Sequence, residues 1–222
     1  MSKPVLYSQW TSSCVWRVRN ALHLKGIGYE VKIVDIDNKK DQFSVEFTRL
    51  NPMRHVPAFS IGETCLYESI AILNFLEEAY PGTPLLPKDL VQRAKVRAFV
   101  DIVASGIQPL QNTKVLLKVK NDKCDEKEWG RYWISLGFEA VERILSSSSG
   151  KYCFGDEITL ADCVLVPQVL NAKKFNVDFT PFPTICRINE NLKEHKAFKL
   201  ANPINQPDFP ENIPENIKVL YQ

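Results

Sequence analysis

Strand periodicity is confined to the first eighty residues of this 222-residue chain. Within them, two periods alternate. Val5 to Ser8 is a short apolar strand, and the stretch Cys14 to Lys25 then carries Val15, Val18 and Leu22 on one helical face, closed by Gly26. Tyr29, Val31 and Ile33 alternate with polar neighbours, as a second strand does. A short helix is expected from Gln42 to Leu50, where Asn51-Pro52 stops it. Ala58 to Ile61 and Cys65 to Tyr67 flank Gly62-Glu63, the arrangement of a hairpin. Ser69 opens a helix expected to point Ile72, Leu73, Leu76 and Ala79 inward.

The order βαβαββα is the layout of a thioredoxin-like α/β domain. Tyr80 to Lys88 holds three prolines and a glycine and reads as a linker. Every later periodic stretch is helical. Val91, Ala94, Ala98 and Ile102 keep helical spacing in a long segment ending near Lys120, and Trp129, Trp133, Leu136, Ala140 and Ile144 do so until Ser146 to Gly150. Thr159-Leu160-Ala161-Asp162 has the form of a capping box with Asp for the usual Glu, starting a third helix that reaches about Phe175. Pro181 to His195 gives a fourth, and the tail after Ala201 is proline-punctuated and irregular. The expected division is residues 1–82 as the α/β domain, 83–88 as linker and 89–222 as an all-α helical bundle.

Composition narrows the function classes. Hydrophobic residues make up 45% and charged residues 24%, as in ordinary globular proteins. A net charge of +2 argues against nucleic acid as a partner, and the lysines between Asn121 and Glu128 are interleaved with acids. The apolar segment Phe99 to Leu110 is too short to span a bilayer. With no secretory pattern ahead of the first strand and six scattered cysteines, reduced thiols and a cytoplasmic location are expected. The three histidines show no ligand spacing, so no metal is expected.

The chemically informative stretch is Thr11 to Arg19, where the first strand passes into the first helix. A helix start offers unpaired N–H groups and the positive end of its dipole, and it stabilises a thiolate or another anion. Ser12, Ser13 and Cys14 sit there. Two readings stand side by side: an ordinary N-cap, or a site that holds ionised sulfur. Cys14 at a helix start also fits a redox nucleophile.

The string Ser12-Ser13-Cys14-x-Trp16-Arg17-Val18-Arg19 resembles the signature of the zeta class of glutathione transferases. The resemblance continues through Asn51-Pro52-Met53-x-x-Val56-Pro57, Ser69-x-Ala71-Ile72, Gly106 to Asn112, Gly155-Asp156-Glu157-x-Thr159-x-Ala161-Asp162 and the tail's Gln206-Pro207-Asp208, covering nearly the whole chain. It implies glutathione as cofactor and assigns roles. Ser12 donates its hydroxyl to the glutathione sulfur, with Ser13 and Cys14 beside it and Arg17 adding positive potential. Val56, before a cis Pro57, pairs with the cysteinyl backbone, Glu68 and Ser69 hold the γ-glutamyl end, and Gln42 holds the glycyl end. Gln108 and Asn112 close the pocket. Lys174 stands where the class has a substrate-binding arginine, and Lys173 and Lys174 also fit a solvated helix end. Glu68 replaces the usual glutamine, and Asn112-Thr113-Lys114 replaces Asn-x-Ser.

For activity, the resemblance implies glutathione-dependent cis–trans isomerisation of maleylacetoacetate to fumarylacetoacetate, in phenylalanine and tyrosine breakdown, by a homodimer acting on a small molecule. The alternatives are a general transferase that conjugates or dehalogenates small electrophiles such as α-haloacids, and a non-catalytic thioredoxin-like binding module.

Overall fold

A computed structural model describes residues 3–221, apart from the side chain of Asn216. Its first unit holds β1 (Val5–Ser8), α1 (Ser13–Leu24), β2 (Glu30–Ile33), α2 (Val45–Leu50), β3 (Ala58–Ile61), β4 (Thr64–Tyr67) and α3 (Ser69–Ala79) in the expected βαβαββα order. The sheet order is β2-β1-β3-β4, with β1 parallel to β2 and antiparallel to β3. The β3–β4 hairpin closes at the pair Ile61↔Thr64, and Gly62 takes the left-handed φ of 58° that the turn requires. The expected helix from Gln42 is shorter: a 3₁₀ turn, Asp41–Phe43, precedes α2, and the Ser44 hydroxyl, accepting the Phe47 N–H, starts the helix afresh.

The core of this unit lies where α1 and α3 cover one face of the sheet. Val15, Val18 and Leu22 of α1, Leu6 and Phe59 of the sheet, and Ile72, Leu73 and Leu76 of α3 are all buried. Burying each such side chain contributes about 1.5–3 kcal/mol. Ala79, expected inward, is exposed in the last turn of α3. There Lys25 ties the helix ends together, bridging Glu77 at 2.8 Å and donating to the carbonyls of Tyr80 and Thr83. As an edge strand, β2 leaves Val31 and Ile33 36% and 40% exposed.

The second unit, Leu85–His195, is helical. It contains α4 (Leu90–Asp101), a π-helical turn (Ile102–Ile107), a 3₁₀ turn (Gln108–Gln111), α5 (Thr113–Asn121), α6 (Glu126–Ser148), α7 (Leu160–Lys174) and α8 (Pro183–Lys193). The single long helix expected to run to Lys120 is thus three pieces, broken at the π turn and at Asn112, which caps α5. Helix α7 is buried almost all round from Leu160 to Ala172 and forms the centre of the unit.

Two helical faces differ from expectation. In α4 the inward residues are Val96, Phe99 and Val100, whereas Val91, Ala94 and Ala98 are exposed. The β-branched and aromatic stripe buries more apolar area than the alanine stripe. In α6 the inward stripe is Gly130, Ile134, Phe138, Val141 and Leu145, one residue along from the expected Trp129, Trp133 and Ile144. Glycine explains the shift. A Cβ on Gly130 would collide with the Phe175 ring, and one on Gly137 with Ile107, so this is the face on which neighbours approach closest.

The tail also departs from the expected division. Residues 196–221, including α9 (Lys196–Ala201) and α10 (Glu215–Lys218), belong by their contacts to the first unit and not to the bundle. Helix α9 packs on α1, and Arg19 donates from Nε to the Ala201 carbonyl at 3.0 Å. No helix among the described residues is long and apolar enough to cross a membrane.

Candidate active site

Sheet register decides where the candidate residues fall. Strands β1 and β2 finish together at Ser8↔Ile33, β3 begins opposite Tyr7 at Ala58, and β4 ends at Tyr67 opposite Ala58. The segments after Ser8, before Ala58 and after Tyr67 therefore emerge at one end of the sheet. They carry Ser12 to Cys14, Val56, and Glu68 with Ser69, so residues far apart in sequence share one end of the domain.

Ser12 is the N-cap of α1, with φ −66° and ψ 115°, and its Oγ accepts the Val15 N–H at 3.3 Å. That bond uses a lone pair and leaves the hydroxyl proton free to donate. Ser13 and Cys14 fill the first two helical positions and are half-buried, and N–H groups at these positions have no partner within a helix. The capping and anion-holding readings of Ser12 are thus compatible in one residue.

The start of α3 is built differently. Glu68 occupies the cap position with φ 67°, makes no side-chain cap bond and is exposed. A positive φ on a residue with a Cβ costs on the order of 1–3 kcal/mol, and such strained residues cluster at active sites and ligand clamps. Ser69 is buried, and its hydroxyl accepts a hydrogen bond from Arg17 Nη1 at 3.2 Å. The guanidinium of Arg17, expected to add positive potential to the site, reaches from the buried face of α1 to the start of α3. It is 2% exposed, and its Nε and Nη2 find no hydrogen-bond partner among the described residues. A buried cation with unanswered donors, beside an uncapped helix start, suits an anion such as a carboxylate.

The other expected residues take these places. Gln42 lies in the 3₁₀ turn before α2, donating from Nε2 to the Ile36 carbonyl at 3.3 Å while its buried Oε1 has no partner among the described residues. Val56 is buried and joined to Pro57 by a cis peptide bond, just ahead of the ladder that starts at Ala58. In the helical unit, Gln108 opens the 3₁₀ turn, Asn112 caps α5 by accepting the Lys114 N–H at 3.1 Å, and half-buried Lys174 ends α7. Burial, aided by Lys193, lowers the pKa of neighbouring Lys173.

Arg19 received no role from the sequence. It is wholly buried and donates to the carbonyls of Ala201 and Trp10, each at 3.0 Å, and to Ser8 Oγ at 3.5 Å. Its place in the Trp16-Arg17-Val18-Arg19 string was the only signal of this, since a buried arginine and an exposed one read alike in sequence.

An α/β unit in βαβαββα order, with an uncapped helix start and a hydroxyl N-cap at one sheet end, has the layout of a thioredoxin-like domain. The family models for the glutathione S-transferase N-terminal and C-terminal domains match residues 3–78 and 117–200. The chain belongs to the glutathione S-transferase family, in its zeta class. It is 52% identical over 96% of its length to a probable maleylacetoacetate isomerase 2 of Drosophila melanogaster, covering 93% of that protein. With the maleylacetoacetate isomerase of Rattus norvegicus it shares 51% identity, covering 95% of this chain and 97% of the relative. Among solved structures, a bacterial zeta-class maleyl pyruvate isomerase superimposes with a TM-score of 0.89 at 42% identity, over 93% of this chain and 100% of the other. The maleylacetoacetate isomerase of Anaeromyxobacter dehalogenans, with GSH bound in its active site, gives 0.86 at 41% identity, over 94% and 98% of the two chains.

Proposed function

We propose that the chain is a glutathione-dependent isomerase that converts maleylacetoacetate to fumarylacetoacetate, acting at the sheet end where α1 and α3 begin. The observation that carries this reading is the Ser12 cap, whose hydroxyl proton has no acceptor among the described residues at the positive end of α1. Glutathione held there would supply a thiolate nucleophile for reversible addition to a conjugated cis double bond, and would be recovered unchanged.

The chain's own residues hold charge and geometry. Ser12 Oγ–H donates to the sulfur, and the first N–H groups of α1 add their dipoles. Lowering a thiol pKa from about 8.5 by two units takes roughly 2.7 kcal/mol, within reach of one charge-assisted hydrogen bond and a helix terminus. Ser69 and the start of α3 receive the γ-glutamyl carboxylate, with Arg17 behind them, and exposed Glu68 faces the ammonium. The Val56 backbone, just ahead of the ladder that starts at Ala58, pairs with the cysteinyl peptide as a strand pairs with an extended peptide. Gln42 takes the glycyl end, and Ser13 and Cys14 line the sulfur. Gln108 and Asn112 serve as the bundle's contribution, and Lys174 offers a cation to a substrate carboxylate, without the bidentate fork of arginine. No side chain acts as a strong base.

The reading extends to a cytoplasmic homodimer in phenylalanine and tyrosine breakdown. The exposed α4 stripe supports the dimer, since Leu90 and Val91 are 76% and 62% exposed and Ala94 and Ala98 continue the same face. Sedimentation of the purified chain at twice the monomer mass is the expected result.

The test is turnover of maleylacetoacetate with glutathione counted before and after. Catalytic glutathione, recovered intact, supports the isomerase. Consumption in step with product, or faster reaction with a chloro-acid, gives the conjugating or dehalogenating reading instead.

A further inference from the structure

The loop from Gln9 to Ser12 belongs to neither strand nor helix, so side-chain contacts decide where the Ser12 hydroxyl stands. Within the loop, the Ser12 N–H donates to the Gln9 carbonyl at 3.2 Å and the Thr11 N–H to Gln9 Oε1 at 3.0 Å. The remaining restraints are long-range. The Trp10 N–H donates to Asp208 Oδ2 at 2.8 Å, and the Trp10 carbonyl accepts from Arg19 Nη2 at 3.0 Å. Thr11 Oγ1 and the Tyr221 hydroxyl share a hydrogen bond of 3.0 Å. The Trp10 ring meets Phe209 edge-on at 5.1 Å and Tyr221 at 5.4 Å, and Asn202 Nδ2 holds the Tyr221 carbonyl at 3.0 Å.

Both polar groups of the Trp10 peptide, two residues before Ser12, are thus fixed by charged side chains that the mechanism above does not use. Burial lowers Arg19 to about 10, with Tyr29 and then Asp208 opposing, so the guanidinium stays charged at neutral pH. Asp208 Oδ1 is buried with no hydrogen-bond partner among the described residues, while Oδ2 takes the Trp10 N–H.

We infer that the C-terminal segment is a strap over the Ser12 loop, with Asp208 and Tyr221 as positioning residues that set the Ser12 hydroxyl against the glutathione sulfur. This rests on the reading of Ser12 as the thiolate donor. A displacement of about 1 Å in such a group is enough to cost on the order of a hundredfold in rate. The strap therefore acts on thiol ionisation and leaves the γ-glutamyl contacts at the start of α3 in place.

The experiment is an ultraviolet titration of the glutathione thiol bound to the full chain, beside kcat and KM, for Asp208→Ala, Asp208→Asn, Tyr221→Phe and Ser12→Ala. Asp208→Ala should reduce the thiolate fraction below its pKa roughly tenfold, with KM for glutathione held within about twofold. Asp208→Asn, whose amide oxygen still accepts the Trp10 N–H, should recover most of the loss. Tyr221→Phe should act in the same direction more weakly, and it keeps the test open if Asp208→Ala fails to fold. A wild-type titration in Asp208→Ala and in Tyr221→Phe, or in Tyr221→Phe alone if Asp208→Ala fails to fold, while Ser12→Ala shifts it, would overturn the strap alone. A wild-type titration in Ser12→Ala would bring down the proposed function, and the strap with it.

Discussion

Thr159 and Ser12 are both hydroxyl N-caps, and they leave their helices in different states. Around Thr159 the polar groups answer one another. Its Oγ1 accepts the Ala161 N–H at 3.3 Å and donates to Asp162 Oδ2 at 3.1 Å, the same oxygen takes the Thr159 N–H at 2.7 Å, and Asp162 Oδ1 takes the Cys153 N–H at 2.9 Å. Thr159 and Asp162 are 5% and 0% exposed. Ser12 is half-buried, accepts one N–H and keeps its proton free. The same residue chemistry is structural where its hydrogen bonds close on themselves and available for function where they do not.

The largest expected effect lies on the closed side. Asp162→Ala strands the buried N–H groups of Cys153 and Thr159 and removes the capping box. At about 1–3 kcal/mol for each unsatisfied donor, the loss should reach about 4 kcal/mol. That is a fall in Tm of roughly 10 °C for a chain of this size, measured by calorimetry. Glutathione affinity of the folded fraction should stay unchanged. On the open side the balance reverses. Ser12→Ala should lower kcat/KM about a hundredfold, as loss of one oxyanion-type donor does, while the lost cap costs only about 1 kcal/mol of stability. Equal destabilisation by the two substitutions would erase the distinction between the caps.

Next in size is Ser69→Ala, at a helix start that has no side-chain cap of its own. Arg17 would lose the hydroxyl it now holds. A KM for glutathione raised roughly tenfold, with kcat nearly kept, is the expected steady-state result, because the γ-glutamyl end is bound equally in ground and transition states. A fall in kcat with KM unchanged would place Ser69 with the sulfur instead.

Much of this contrast was readable from local pattern. The single elements of the βαβαββα order, the Gly62-Glu63 turn and the Thr159 capping box are local patterns, and apart from the late start of α2 they formed where those patterns lie. The faces of α4 and α6 were misread because periodicity in one chain cannot weigh what comes close. Trp129 and Trp133 outrank Gly130 in hydrophobicity, yet the missing side chain of Gly130 is what admits the Phe175 ring. The tail was the least legible part. Asp208 and Trp10 lie 198 residues apart, and no local spacing marks their bond. In the site, the helix-start chemistry of Ser12 to Cys14 was visible as residue type. The attachment of Arg17 to Ser69, by contrast, required two helices to be packed first.

Cys14 offers the smallest expected effect and the sharpest check on the open cap. It sits in the first turn of α1, half-buried and one residue past Ser13, with the same helix dipole behind it. Were the thiol itself the reacting group, as in thiol–disulfide exchange, removing it would abolish activity and Ser12→Ala would be the milder change. On the thiolate-stabilising reading the sulfur that reacts belongs to glutathione, and Cys14 contributes only side-chain bulk and a weak S–H donor. Cys14→Ala should therefore keep kcat/KM within about threefold and leave the bound thiol's titration where it was. The order of the two substitutions, more than the size of either, decides whether the start of α1 acts through a hydroxyl proton or through a second sulfur.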